Sequence, residues 1–268
     1  MSQEAINFKK NNQNIDFKKM SLDDLNKLPA YNGMIEFKIS KTSFKILNII
    51  NDDSSAVKYF WQDKHDLQSL DLWYEISKEK GLYIDVGAHT GLYTLTSLKS
   101  NPLNKVISIE PLYVNLARVL TNLRLNNLHK QVSPHLFAVS NFDGFSKFKN
   151  IEETSYLSKG GKIDTEGMTT QTIKLDSLKI PNTIDIKGIK IDTEGEDYKV
   201  LEGAIEIISK YKPKIIVEVR DDNKKIIQDF FNKQNYKLFT LDNKNINVDL
   251  NNIEINNVKN IYAQYTMD

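Results

Sequence analysis

The residues whose types could do chemistry are acids and glycines that close short apolar runs. The first group is Asp85-Val86-Gly87-Ala88-His89-Thr90-Gly91, which ends the apolar run Leu82–Val86. Glycine permits a tight turn and lets a ligand approach the backbone. The spacing is not the G-x-G-x-x-G of dinucleotide enzymes. His89 fills the middle position, where it would crowd a pyrophosphate lying over a helix N-terminus. The Asp85 carboxylate would repel a phosphate, yet attract the ammonium of an amino-acid-like ligand. Taken alone, the loop reads equally well as a strand-to-helix turn. If Gly87 makes room for a ligand, valine there should weaken binding without unfolding the chain.

The second group is Glu110-Pro111, about 25 residues after Asp85 and at the end of another apolar run. An acid at that place can accept both hydroxyls of a ribose. Asp85, Gly87, Gly91 and Glu110 together indicate an adenosine-bearing ligand. NAD and S-adenosylmethionine both satisfy Glu110, and Asp85 favours the second. The third group is Lys190-Ile191-Asp192-Thr193-Glu194-Gly195-Glu196-Asp197. Carboxylates favour helix N-termini, which accounts for Glu196 and Asp197. Asp192 and Glu194 stand nearer the strand tip, where either could take a proton from a substrate hydroxyl. The pair could alternatively bind a divalent cation through oxygen. No histidine or further carboxylate is fixed beside it by sequence, so no metal site is assigned.

Four ordered blocks, YIDVGAHTGLYTL, IEPLYVNLARVLTNLRLNN, TIKLDSL and IKIDTEGEDYKVLEGA, resemble those of FkbM-type methyltransferases over residues 82–220. The resemblance implies S-adenosylmethionine as cofactor and methylation of a hydroxyl oxygen, often on a sugar, glycolipid or natural product. By position it implies that Asp85, Gly87, His89 and Gly91 form the methionine-side loop. It likewise implies Glu110 and Pro111 at the ribose, Asn115 as a polar position of the second block, and Ala138 and Ser140 at the adenine edge. Asp192 and Glu194 fall nearest the methyl group. His89 departs from the asparagine frequent in that loop. Two rival readings are an NAD-dependent oxidoreductase and a non-catalytic cofactor-binding module. The first needs a phosphate-friendly glycine loop and a Tyr/Lys proton donor, and neither is evident. The intact Asp85, Glu110 and Asp192 set argues against the second.

These groups need strand tips to hold them. Apolar runs at 82–86, 105–109, 132–139, 188–191, 214–219 and 237–241 read as strands. Helical spacing marks 92–98, 114–125, 197–210 and 224–234. Alternating strands and helices predict an α/β fold, a doubly wound Rossmann-like, mostly parallel sheet of the class I methyltransferase type. A last strand at 260–265 follows a polar stretch, which predicts an antiparallel hairpin at the sheet edge. Residues 140–170 lack a clean period and read as a hairpin with an irregular insertion. We expect an N-terminal extension over 1–80 and the cofactor-binding domain over 81–268. In the extension, 21–28 reads as a short helix capped by Ser21, 34–49 as a β-hairpin and 66–80 as a helix.

The chain of 268 residues has Lys+Arg 36 against Asp+Glu 35, a balance that gives no reason to expect nucleic acid as a partner. It has no cysteine, which excludes disulfides and thiolate chemistry. The polar first residues lack the apolar core of a signal peptide, and no run nears the roughly 20 residues of a membrane span. The expectation is a cytoplasmic enzyme acting on a small-molecule or glycan acceptor, with no assignment of oligomeric state. His65, His129 and His135 lie outside the blocks and are assigned no role.

Overall fold

The computed structural model describes residues 2–63, 67–153, 157–181, 183–241, 246–255 and 259–266; His65 lies outside them. In chain order the extension holds α1 (Ser2–Asn11), α2 (Leu22–Asn26), β1 (Gly33–Ile39), β2 (Thr42–Asn48), α3 (Ser54–Gln62) and α4 (Leu67–Ile76). Then come β3 (Leu82–Val86), α5 (Leu92–Ser100), β4 (Lys105–Ile109), α6 (Tyr113–Leu125), β5 (Val132–His135) and β6 (Ala138–Val139). An insertion follows as β7 (Gly144–Glu153), β8 (Ser158–Asp164) and β9 (Met168–Ile173). The last part is β10 (Ile186–Ile191), α7 (Asp197–Glu202), α8 (Ile205–Tyr211), β11 (Lys214–Val219), α9 (Lys224–Lys233), β12 (Tyr236–Thr240) and β13 (Lys259–Tyr265).

Seven strands form the central sheet in the order β12-β13-β11-β10-β3-β4-β5. β11, β10, β3, β4 and β5 are mutually parallel, and β13 is antiparallel to both its neighbours. Every residue of β3 is buried, because helices cover both faces of the sheet. One face packs on α7, α8 and α9 through Ile84, Ile189, Val200, Ile208, Val217 and Phe231. The other carries α5, α6 and the extension: Phe37, Ile46 and Trp73 share one cluster with Leu95, Val119 and Ile216. The hairpin therefore completes the covering of the sheet. A buried ion pair from Arg118 to Asp52, 2.6 Å long, fixes the turn after β2 to α6.

Some elements follow the sequence expectation and others differ from it, and α3 falls where no element was expected. As expected, the last strand closes an antiparallel pair with β12 at the sheet edge, with β13 on the inner side beside β11. The run 132–139 is two strands: β5 ends the central sheet, while β6 joins β9 in a second sheet ordered β6-β9-β7-β8. The helix expected over 197–210 breaks at Gly203, where a Cβ would stand 2.1 Å from the Ser140 carbonyl oxygen. The first polar residues, whose composition suits an arm or a loose helix, form the helix α1, which buries Ala5 in a small cluster with Phe17, Leu25, Val57 and Trp61. By contrast Ser21 caps α2 by accepting from Asp24 N, as its type and place predict. Among the described residues no helix is long and apolar enough to cross a membrane.

Candidate active site

The parallel strands β3, β4, β10 and β11 end on one side of the sheet, and a cavity of about 400 Å³ lies there. Its floor is the loop after β3. Gly87 N and Ala88 N both donate to the Ile109 carbonyl, at 3.0 and 2.9 Å, so the loop is pinned to the tip of β4. Gly87 has φ +77°, and a Cβ on it would lie 1.8 Å from the Asp192 carbonyl oxygen. Glycine is required there because the backbone after β10 presses on it. This corrects the expectation that valine would affect binding alone.

Glu110 closes β4 and lines the cavity while only 5% exposed. His89 N donates to its Oε2 at 2.9 Å and Leu112 N to its Oε1 at 3.0 Å. Burial pushes its pKa up to about 7, against the pull of His89 and the two backbone donors. Each carboxylate oxygen keeps a further lone pair for a ligand hydroxyl. Pro111, Phe137, Ala138 and Val139 supply an apolar wall beside it. Above the loop runs β8, held down at Ser158: its carbonyl meets His89 Nε2 at 3.1 Å and its N–H donates to Asn115 Oδ1 at 3.2 Å.

Asp85, Gly91, Asn115 and Ser140, where contact with a cofactor is expected, stand behind the wall rather than in it. Asp85 Oδ2 accepts from Thr94 N at 2.9 Å and Thr94 Oγ1 at 2.6 Å, which ties α5 to β3. Burial pushes the Asp85 pKa up to about 6, opposed by Thr94 and Lys190. Gly91 starts α5 against Val119, and Ser140 N donates to the Ile173 carbonyl. Asn115 is fully buried beside Glu110, and its Nδ2 has no hydrogen-bond partner.

The acids after β10 do line the cavity. Asp192 is 36% exposed and meets Lys190 Nζ at 3.3 Å. Glu194, at φ +54°, accepts from Arg220 at 2.8 Å, and Glu218 at the end of β11 accepts from the same nitrogen at 2.9 Å. Burial, then the charges of Asp192 and Asp197, push Glu218 up to about 8. Asp197 instead faces its own turn, accepting from Thr193 N and Gly195 N. Asp192 and Glu194 thus each carry a cation already. Among the described residues no three His, Cys, Asp or Glu side chains are grouped to hold a metal ion.

Several residues here escape sequence reasoning. Lys190 is 1% exposed, and its ammonium reaches the Ile191 carbonyl, Asn260 and Asp192 while lying 5.0 Å from the Tyr93 ring. A lysine inside an otherwise buried strand was the available signal. Glu218 could have been found by the strand-tip rule applied once more. Nothing in the sequence marks Ser54, Ser55, Lys58 or Tyr93, which also line the cavity.

A sheet of seven strands with one antiparallel strand next to its edge, a glycine turn after the first parallel strand and an acid after the second define the class I methyltransferase fold. Residues 85–238 match the methyltransferase FkbM domain, and the chain belongs to that family. Methyltransferase FkbM from Methylobacillus flagellatus KT is similar at 14% identity and TM-score 0.48, over 81% of this chain and 54% of that one. This chain thus spans about half the length of that relative. TYW2 from M. jannaschii, solved with AdoMet, is similar at 14% identity and TM-score 0.48, over 88% and 86% of the two chains. The O-methyltransferase TomG from Streptomyces achromogenes, solved with SAM, is similar at 10% identity and TM-score 0.46, over 76% and 82%. No curated protein matches the chain.

Proposed function

We propose that the protein transfers the methyl group of S-adenosylmethionine to a hydroxyl oxygen of a small-molecule or glycan acceptor. The observation that carries this reading is Glu110. It is a nearly buried carboxylate with a spare lone pair on each oxygen, fixed by two backbone donors beside an apolar wall. That arrangement suits a ribose and its base.

Bound there, S-adenosylmethionine would supply an activated methyl group, so the protein's task is to orient and to exclude water. Glu110 and the wall of Pro111, Phe137 and Ala138 would hold the adenosine. The loop 87–89 and β8 close the cavity from two sides. A hydroxyl acceptor has to lose its proton, and Asp192 is the acid we assign to receive it. Its Oδ2 rests on Lys190 and its Oδ1 is left for the acceptor. Glu194, bound to Arg220, would orient the acceptor. Glu218, pushed upward by burial and by the charges of Asp192 and Asp197 and held by Arg220, is not assigned the role of base. The test is transfer of labelled methyl from the cofactor to a panel of sugars, glycolipids and phenols. Uptake on oxygen that falls in Asp192→Asn supports the reading; uptake on nitrogen, or none, refutes it.

A further inference from the structure

The acids lining the cavity are matched with their own donors. Lys190 serves Asp192, Arg220 serves Glu194 and Glu218, Lys199 serves Glu196, and Glu110 has two backbone N–H groups. Lys58 is the exception among the cations. It lines the same cavity, half-buried, and its ammonium makes no hydrogen bond or ion pair with any described residue. Ser54 and Ser55, one turn before it on α3, line the cavity beside it, and their hydroxyls are equally unengaged. Ser54 and Lys58 are four residues apart and so share one helix face. The N–H groups of this helix end are already spent, since Ser55 N and Ala56 N donate to Asp53. What α3 offers the cavity is therefore three side chains: a cation and two hydroxyls.

We propose that Ser54, Ser55 and Lys58 form a seat for an oxyanion, a carboxylate or phosphate, carried by one of the two ligands. An ammonium in a cavity edged by carboxylates gains most from a ligand that brings its own negative charge, and hydroxyls complete its hydrogen bonding. The seat belongs to the N-terminal extension, so this segment contributes to recognition as well as to the core. The anion is either the α-carboxylate of the cofactor or an acidic group on the acceptor. The first case rests on the methyl-donor reading above.

The experiment is calorimetric titration of wild type, Lys58→Gln and Lys58→Arg with three probes. These are S-adenosylhomocysteine, methylthioadenosine (which lacks the amino-acid moiety) and inorganic phosphate, the last added to the S-adenosylhomocysteine-loaded protein and to the free protein. If the seat takes the cofactor carboxylate, Lys58→Gln weakens S-adenosylhomocysteine about 10-fold or more, leaves methylthioadenosine unchanged, and Lys58→Arg restores most of the loss. If the seat takes an acceptor anion, S-adenosylhomocysteine is unaffected, and phosphate binds the loaded wild type but not loaded Lys58→Gln. Equal behaviour of wild type and Lys58→Gln toward all three probes overturns the proposal, as does an equal loss of both adenosine ligands. Failure of wild type to bind either adenosine ligand would overturn the methyl-donor reading instead, and Lys58-dependent phosphate binding to the free protein would still decide the seat.

Discussion

Replacing Gly87 with alanine is expected to unfold the chain more readily, whether or not a ligand is present. The added Cβ would stand 1.8 Å from the Asp192 carbonyl oxygen, far inside any real contact, so the backbone after β10 must retreat by about 1 Å or more. A left-handed backbone at φ +77° costs a non-glycine residue roughly 1–2 kcal/mol. Overpacking against a rigid neighbour adds roughly 1–3 kcal/mol. The sum, about 2–5 kcal/mol, is a large part of a typical folding stability and corresponds to a fall in Tm of about 5–15 °C. Gly195 is the control: it also has positive φ, +105°, but a Cβ there has nothing within 4 Å. Gly195→Ala should therefore lose only the conformational part. The assay is thermal unfolding by circular dichroism without ligand. Equal losses in the two variants, or a Gly87→Ala chain as stable as wild type that has lost only cofactor affinity, would refute the reasoning.

Asp192→Asn should cut turnover about 10²–10⁴-fold with S-adenosylhomocysteine affinity within a few-fold, whereas Glu194→Gln should act mainly on the acceptor's KM; steady-state kinetics on an identified acceptor separate them. Between pH 6.5 and 8 the ligand-free protein should lose stability as pH rises. Glu110 and Glu218 have pKa values pushed up to about 7 and about 8, so they bind protons more tightly folded than unfolded. Their contribution is complete below the ordinary carboxylate range and is lost as pH rises through those values. The slope should be on the order of 1 kcal/mol per pH unit. Denaturant midpoints measure it, and Glu218→Gln should flatten the upper part. Arg118→Met should cost about 3–5 kcal/mol by leaving Asp52 buried without its cation, seen as a lower urea midpoint.

The sequence made the central sheet legible because its strands are buried on both faces. Runs such as Leu82–Val86 and Lys214–Val219 then need no periodicity to be recognised. The acids at strand tips were legible for the related reason that parallel strands end on one side. What those acids touch was not. Asp85 faces Thr94 because α5 returns over β3, a tertiary fact with no local signature. Gly87 looked like room for a ligand, and the neighbour it makes room for is a backbone carbonyl more than 100 residues away in sequence. The insertion was opaque because one strand serves two surroundings. In β7 Phe148 is buried against Leu112 and Ala138, while Phe145 points to solvent. No residue type or spacing in the extension marks Ser54, Ser55 or Lys58, yet α3 lines the cavity with all three.

The central claim is that Glu110 anchors an adenosine whose other end is an amino acid and not a second nucleotide. Calorimetric titration of wild type and Glu110→Gln with S-adenosylhomocysteine and with NAD tests it directly. Wild type should bind S-adenosylhomocysteine and not NAD, and Glu110→Gln should weaken that binding about 10- to 100-fold, the scale of charge-assisted hydrogen bonds to ribose hydroxyls. Binding of NAD in preference to S-adenosylhomocysteine, or S-adenosylhomocysteine binding that is unchanged in Glu110→Gln, would contradict it.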